Sequence, residues 1–160
     1  MKNRVFKRKI YDKILKWKQE SNGTTALMIQ GARRIGKSTI VEEFAKNEYS
    51  SYLIIDLNKT SEFVKSLFDD LMDLDFIFLQ LQTIYKVVLK KRKSVIIFDE
   101  VQKCPNARQA IKYLVQDGRY DYIETGSLIS IRQNTKDITI PSEEEQINML
   151  NKIINNRLTV

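Results

Sequence analysis

The sequence predicts an α/β sandwich built on a mostly parallel sheet. Short apolar runs, typical of buried strands, alternate along the 160 residues with segments of helical periodicity. A composition of 42% hydrophobic and 29% charged residues, with five Gly and two Pro, is that of a soluble globular chain. A chain of this length buries about 70% of the surface that it exposes when unfolded. We therefore expect a domain with a core of its own.

The helices are predicted from apolar residues at helical spacing. Residues 3–20 place Phe6, Ile10, Ile14 and Trp17 on one face, and Asn22-Gly23 ends that helix. The same periodicity predicts further helices around 40–45, over 61–71, over 75–92 and over 107–114.

The strands are predicted from short, continuous apolar runs. Such runs cover residues 26–29, 52–56, 95–99 and 120–124, and each is followed by a loop or a turn. A continuous apolar run indicates a strand that is buried on both faces, as in a parallel sheet covered by helices.

The pattern weakens after Ser127. A helix over 128–131 and an extended piece over 138–140 are the local predictions, and Ser142 with Glu145 forms a capping-box pattern. Apolar residues continue that pattern as an amphipathic helix at Ile147, Leu150, Ile153 and Ile154. We therefore expect a core over 1–146 and a divergent, helical tail over 147–160.

The composition excludes several classes of site. The chain has no His and a single Cys, Cys104, so it contains no Ser-His-Asp or Cys-His nucleophile, no zinc finger and no His-ligated metal. A metal bound here is expected to be a hard ion with oxygen ligands. The sequence has neither a signal-peptide pattern nor an apolar run long enough to span a membrane, which favours the cytoplasm.

Residues 31–38 match the pattern of a phosphate-binding P-loop at every required position. The motif lies between a predicted strand and a predicted helix, where backbone N–H groups converge on an anion. Lys37 is predicted to reach the β- and γ-phosphates, and the Ser38 hydroxyl to ligate Mg²⁺. The expected nucleotide cradle consists of Gly31, Ala32, Arg33, Arg34, Ile35, Gly36, Lys37, Ser38 and Thr39.

Two carboxylates follow the third predicted strand, at the sheet edge where ligands bind in open α/β folds. This is the Walker B arrangement, in which Asp99 belongs to the Mg²⁺ shell and Glu100 polarises a water for attack on the γ-phosphate. The fourth strand is followed by Thr125 and Ser127, whose hydroxyls would lie at the same edge and sense the phosphate. A turn or helix-capping role for these two residues is the alternative.

Three segments in order, GARRIGKST, IIFDEVQKCP and IETGSLISI, resemble the bacterial and archaeal AAA-type ATPases. Members of that family join a P-loop domain to a helical lid and a C-terminal nuclease-like domain. The resemblance runs from about residue 5 to residue 146. It implies an AAA+-like core, a P-loop NTPase three-layer α/β/α sandwich, with Lys37 and Ser38 as Walker A, Asp99 and Glu100 as Walker B, and Thr125 or Ser127 as sensor 1. It also implies that Ile10, Tyr11 and Ile14 line the adenine pocket, with core packing as the alternative.

These observations predict an ATP-binding domain that hydrolyses ATP with Mg²⁺. Because the chain ends where family members continue into the lid, we expect hydrolysis to be slow in isolation, and self-association to supply an arginine. The arginines predicted to lie near the nucleotide edge are Arg33, Arg34, Arg119 and Arg132. The rival interpretation is a nucleotide-binding regulatory module with little turnover. A small kinase is disfavoured, because a glutamate that activates water is of little use to an enzyme that must exclude water.

A net charge of +7 suits a polyanionic partner. The lysines of residues 2–18 and the run over 90–93 are candidates for nucleic-acid phosphates. No aromatic platform or helix-turn-helix accompanies them, so a solvated basic surface is the favoured interpretation. The predicted ligands remain ATP or ADP.

Overall fold

A five-stranded sheet forms the centre of the fold in a computed structural model that describes residues 2–32, 36–127 and 144–149, with residues 2 and 3 described by their backbone alone. The strands are β1 (Ala26–Gly31), β2 (Ser51–Asp56), β3 (Ser94–Asp99), β4 (Asp121–Ser127) and β5 (Glu144–Asn148). Their order across the sheet is β2-β3-β4-β1-β5, and every neighbouring pair is parallel. All five carboxyl ends therefore meet at one edge.

The helices cover both faces of this sheet. They are α1 (Lys2–Ser21), α2 (Lys37–Glu48), α3 (Glu62–Ser66), α4 (Leu74–Tyr85) and α5 (Pro105–Asp117), with a 3₁₀ turn over Val101–Lys103. The described helices pack in two layers, α1 and α2 on one face and α3, α4 and α5 on the other. The predicted three-layer α/β/α sandwich is confirmed.

Strand alternation divides the core between these two layers. In β1, Leu27 and Ile29 pack against α1 and α2, whereas Ala26 and Met28 pack against α5. Because both faces are covered, all six residues of β1 are buried, which is the physical reason for the continuous apolar runs in the sequence.

Two helix predictions in the middle of the chain are too long. The helix predicted over 75–92 ends at Tyr85, because Lys86 takes a left-handed conformation with φ 54°. The side chain of Gln82 then accepts a hydrogen bond from Leu89 N, which holds the returning chain. Similarly, the helix predicted over 61–71 covers only α3, which begins after the N-cap Ser61.

The helix predicted from Ser142 is wrong where the structure describes it. Residues Glu144–Asn148 form the edge strand β5, which pairs with β1 across the boundary predicted at 146. Met149 follows in the core, and its N–H donates to Gln30 O. Pairing with a buried strand therefore overrides the local capping pattern. The predictions over 128–131, 138–140 and 150–160 lie outside the described residues.

Candidate functional site

The glycine-bearing loop connects the carboxyl end of β1 to the start of α2. Gly36 is the N-cap of α2 and has φ 87°, a left-handed conformation that an L side chain rarely adopts. Gly36 has no side chain that could cap the helix, so no side-chain oxygen of this residue accepts from the first N–H groups of α2. This geometry is suited to an anion. Arg33, Arg34 and Ile35 lie outside the described residues.

Lys37 is buried at the start of α2. Its Nζ donates to Gly31 O at 3.1 Å and to Ala32 O at 2.9 Å, so the ammonium is held against the end of β1. Only 4% of the residue is exposed, although the neighbouring Ser38 and Thr39 are exposed. The lysine charge is thus fixed at the carboxyl edge of the sheet.

Asp99 joins three elements through one oxygen. Its Oδ1 accepts from Ser38 Oγ at 2.7 Å and from Thr125 Oγ1 at 2.5 Å. The first contact connects β3 to α2, and the second connects β3 to β4. The structure therefore brings together the predicted metal ligands, Ser38 and Asp99, and one of the two predicted sensor residues.

Ser127 lies two residues further along β4, opposite Gly31 in the β1–β4 register. Ala32 directly follows Gly31 and is exposed. Ser127 is consequently placed beside the entrance of the glycine-bearing loop, whereas Thr125 is placed against Asp99.

Glu100 has an unusual backbone conformation, with φ 57° and ψ 52°. Its N–H donates to Thr125 Oγ1 at 3.1 Å, and its Oε2 accepts from Gln102 Nε2 at 2.5 Å. A left-handed glutamate is strained, and such strain persists only where neighbouring contacts hold it. Thr125 and Gln102 provide those contacts, so the direction of the Glu100 carboxylate is set by two neighbours.

The donor set fits a nucleotide with Mg²⁺. Mg²⁺ takes one or two protein oxygens and completes its shell with phosphates and water, and the Ser38 hydroxyl and the Asp99 carboxylate provide such a pair. Among the described residues, no group of three or more Cys, Asp or Glu side chains could hold a metal by itself. A magnesium ion at this site would therefore depend on phosphate oxygens.

Several predicted contributors lie elsewhere. Arg119 precedes β4 at the opposite edge of the sheet, where it pairs with Asp117 at 2.9 Å and with Asp75, so its assignment to the nucleotide edge is wrong. In the basic run over 90–93, Arg92 pairs with Asp121 at 2.7 Å and supports the fold. Arg132 lies outside the described residues.

The α1 residues implied to line the adenine pocket pack into the core. Ile10 and Ile14 are fully buried against α2 and the sheet. Tyr11 packs edge-on against Phe44, and its hydroxyl donates to Glu48 at the C-terminal end of α2, away from the glycine-bearing loop. The structure supports core packing for these three residues.

Two features of the site region were not predicted. The contact of Gln102 with Glu100 is one, and only the position of Gln102 two residues after Glu100 signals it in the sequence. A buried charged cluster joins α5, β4 and β5, where Arg108 Nη2 contacts Glu144 Oε1 at 3.2 Å and Glu124 lies next to Glu144. No sequence signal connects these three residues, because they come from separate elements.

A parallel sheet of this order, with a glycine-bearing loop after β1 and an Asp-Glu pair after β3, defines a nucleotide-binding P-loop domain of the AAA type. The AAA domain family matches residues 23–151, and the chain belongs to that family.

Comparison with solved structures supports the fold. The structure of C. elegans PCH-2 is similar with a TM-score of 0.50 and 16% sequence identity, covering 89% of this chain and 41% of that chain. The present chain thus spans less than half the length of PCH-2. No curated protein matches the chain. None of the described helices is long and apolar enough to cross a membrane.

Proposed function

We propose that the chain binds ATP with Mg²⁺ and hydrolyses it, with Glu100 activating the attacking water. The observation that carries this proposal is the shared position of Asp99 Oδ1, within hydrogen-bonding distance of both Ser38 and Thr125. Ser38, Asp99 and Thr125 thus lie together at the edge from which α2 begins, and we assign the first two to Mg²⁺ and Thr125 to sensing the phosphate.

Nucleotide binding would depend on the loop and on Lys37. The N–H groups at the start of α2 would receive phosphate oxygens, and Lys37 would exchange its bonds to Gly31 O and Ala32 O for the β- and γ-phosphates. Ser38 and Asp99 would hold Mg²⁺, which neutralises charge on the phosphates when it is bound. The predicted cradle, including Thr39 and the residues over 33–35, remains part of this proposal.

Hydrolysis would need a water aligned with the γ-phosphate. Glu100 would orient this water and take up its proton, while Thr125 would hold the Glu100 backbone through its N–H. Gln102 already holds Glu100 Oε2, so the carboxylate must leave this contact or share it in order to reach a water. Ser127, beside Gly31, is proposed as a second polar contact near the phosphates.

The same contacts favour the second candidate, a nucleotide-binding module with little turnover. Lys37 is engaged with two carbonyl oxygens and Glu100 with Gln102, so both groups must change partners before hydrolysis. An assembly that rearranges them would accelerate the reaction. We propose a cytoplasmic protein that self-associates for this purpose.

Steady-state hydrolysis of MgATP separates the two candidates. Wild type is compared with Glu100→Gln, and Glu20→Gln, an exposed residue on α1, is the matched control. Loss of turnover in Glu100→Gln alone, with nucleotide binding retained, supports the enzyme. Turnover that is equal in wild type and Glu100→Gln would contradict the role of Glu100.

Self-association is tested by protein concentration. Three described arginines, Arg92, Arg108 and Arg119, are held in ion pairs, so we propose that a transition-state arginine comes from a neighbouring copy. Such a residue is worth about 10³–10⁵ in rate. Turnover per chain should then rise with protein concentration, and Arg132→Ala should reduce that rise. Concentration-independent turnover of about 1 s⁻¹ or more would contradict self-association.

A further inference from the structure

The strand β2 ends the sheet on the side opposite β5 and pairs only with β3 among the described residues. Leu57 N donates to Asp99 O at 2.9 Å, and alternate residues of a strand direct their backbone groups to the same neighbour. The backbone N–H and C=O groups of Leu53 and Ile55 therefore point toward β3. The N–H and C=O groups of Tyr52 and Ile54 face outward, where a further strand could pair with them.

A groove follows this outer edge. One cavity of about 520 Å³ is lined by residues between the end of α2 and the end of α4, among them Tyr49, Tyr52 and Val87. A second cavity of about 400 Å³ continues toward the carboxyl end of β2. Ile54 and Tyr85 line both, so the two cavities form one continuous groove along the strand.

The walls of the groove are mostly apolar, and two lysines lie at the end formed by the larger cavity. Ile54, Tyr85 and Val87 offer apolar surface, as a strand with alternating side chains requires. Lys46 and Lys86 line the larger cavity, and no described carboxylate lines it. Lys46 also pairs with Glu42 at 3.4 Å, and the second cavity carries both Asp56 and Lys59. Positive charge therefore dominates at the end near Lys46 and Lys86.

We propose that this edge binds an extended acidic segment of a partner protein, which adds to β2 as a sixth strand. Backbone groups of Tyr52 and Ile54 would pair with the segment, and alternate apolar side chains would enter the groove. Acidic side chains would lie near Lys46 and Lys86. Lysines at a sheet edge deter pairing with neutral or basic strands, so the same charges select for an acidic one.

Fluorescence anisotropy with two labelled ten-residue peptides tests the proposal, one alternating Val with Glu and the other alternating Val with Lys. We expect the Val-Glu peptide to bind at least about tenfold more tightly than the Val-Lys peptide, with an affinity that falls as salt is added. Amide hydrogen exchange should slow at Tyr52 and Ile54 when the Val-Glu peptide is bound, because their N–H groups gain acceptors.

Two kinds of variant locate the site. Ile54→Pro removes an outward N–H that the sheet does not use, and proline is tolerated on edge strands, so the chain should fold and lose peptide binding. The double variant Lys46→Glu, Lys86→Asp should lower the affinity for the Val-Glu peptide by about tenfold and raise the affinity for the Val-Lys peptide. Asp is chosen at position 86 because φ there is 54°. Lys112→Glu, an exposed residue on α5, is the control and should change neither affinity.

If Ile54→Pro does not fold, the double variant Lys46→Glu, Lys86→Asp still tests the site through the affinities of the two peptides. Equal affinity for the two peptides, or unchanged hydrogen exchange at Tyr52 and Ile54, would overturn the proposal. Self-association that protects these two amides without peptide would also overturn it, because the edge would then belong to a second copy. Nucleotide is absent from these measurements, so their outcome is independent of the proposed ATPase activity.

Discussion

Thr125 Oγ1 donates to Asp99 Oδ1 at 2.5 Å and also accepts from Glu100 N at 3.1 Å. One hydroxyl on β4 thereby contacts both carboxylate residues that follow β3, the pair predicted to form Walker B. It holds the carboxylate of the first residue and the strained backbone of the second. A change in the position of Thr125 would consequently move both Asp99, the proposed metal ligand, and Glu100, the proposed water-activating residue.

Thr125→Val should destabilise the fold and disturb the site. Valine has nearly the same shape, but it leaves the N–H of Glu100 without this acceptor and removes one donor from Asp99. The expected loss is about 1–3 kcal/mol in the free energy of unfolding, measured by urea denaturation. Turnover should fall more than MgATP affinity, because Glu100 loses its backbone support.

Thr125→Ser is the control, since it retains the hydroxyl and loses only a methyl group. It should keep most of the turnover. If Thr125→Val and Thr125→Ser behave alike, the hydroxyl has no special role and the contact to Asp99 is incidental.

Lys37→Ala should abolish most of the thermal stabilisation by MgATP. A ligand at about 100 times its Kd stabilises a protein by about 2.7 kcal/mol, which raises Tm by roughly 5–10 °C for a chain of this size. The substitution removes the cation proposed to contact the phosphates. Differential scanning fluorimetry with and without MgATP measures the shift, and Lys112→Ala serves as the exposed control. A full shift in Lys37→Ala would contradict the P-loop assignment.

Asp99→Asn and Glu100→Gln should separate metal binding from water activation. Asp99→Asn removes a charged ligand, so ATP affinity should lose most of its dependence on Mg²⁺. Glu100→Gln should leave that dependence intact, because Glu100 is proposed to contact only the water. Titration of ATP with and without Mg²⁺ by calorimetry measures both. An equal loss of affinity in the two variants would argue against separate roles.

Most of the fold was predictable because its signals are local. A strand buried on both faces is apolar throughout, as β1 and β3 are, and the glycine-bearing loop is recognised from the spacing of Gly31, Gly36 and Lys37. Parallel strands then bring Asp99 and Thr125 to one edge without further information. The partners of Lys37, two carbonyl oxygens of its own loop, cannot be read from residue types.

The errors fall where distant contacts decide the local structure. Glu144 has a capping pattern nearby, yet it joins β5 because it pairs beside Ala26 and contacts Arg108. Arg119, predicted near the nucleotide edge, precedes β4 and therefore lies at the opposite edge of the sheet. Gln102 contacts Glu100, whose left-handed backbone no residue type in the sequence signals.

Glu124 is a buried acid that should give the fold a dependence on pH. Its side chain is fully buried, with Glu144 and Arg108 as its charged neighbours. Neither oxygen of Glu124 has a hydrogen-bond partner among the described residues. Burial raises the pKa of Glu124 well above its usual range, and repulsion from Glu144 adds to this effect, while Arg108 opposes it.

The sign of the pH effect follows from proton binding. In the unfolded chain, Glu124 loses its proton at about pH 4.3, whereas the folded chain retains it to higher pH. Between these two pKa values the folded state holds the extra proton, so stability is complete at low pH and falls as pH rises, by at most about 1.4 kcal/mol per pH unit. Glutamine cannot ionise and has nearly the same shape. Glu124→Gln should therefore lose less stability than wild type between about pH 5 and about pH 8, and should be the more stable protein at the upper end.

Urea denaturation at intervals across that range measures this difference, with Glu43→Gln, an exposed residue on α2, as the control. The control should follow wild type at every pH, because Glu43 is exposed on α2 and lies outside the buried cluster of Glu124, Glu144 and Arg108. Arg108→Met should have the opposite effect on the pH profile from Glu124→Gln. It removes the cation that offsets the negative charge of Glu124 and Glu144, so the free energy of unfolding should fall more steeply as pH rises. Parallel pH profiles for wild type and Glu124→Gln would mean that Glu124 is already ionised in the folded protein, and that Arg108 compensates both carboxylates.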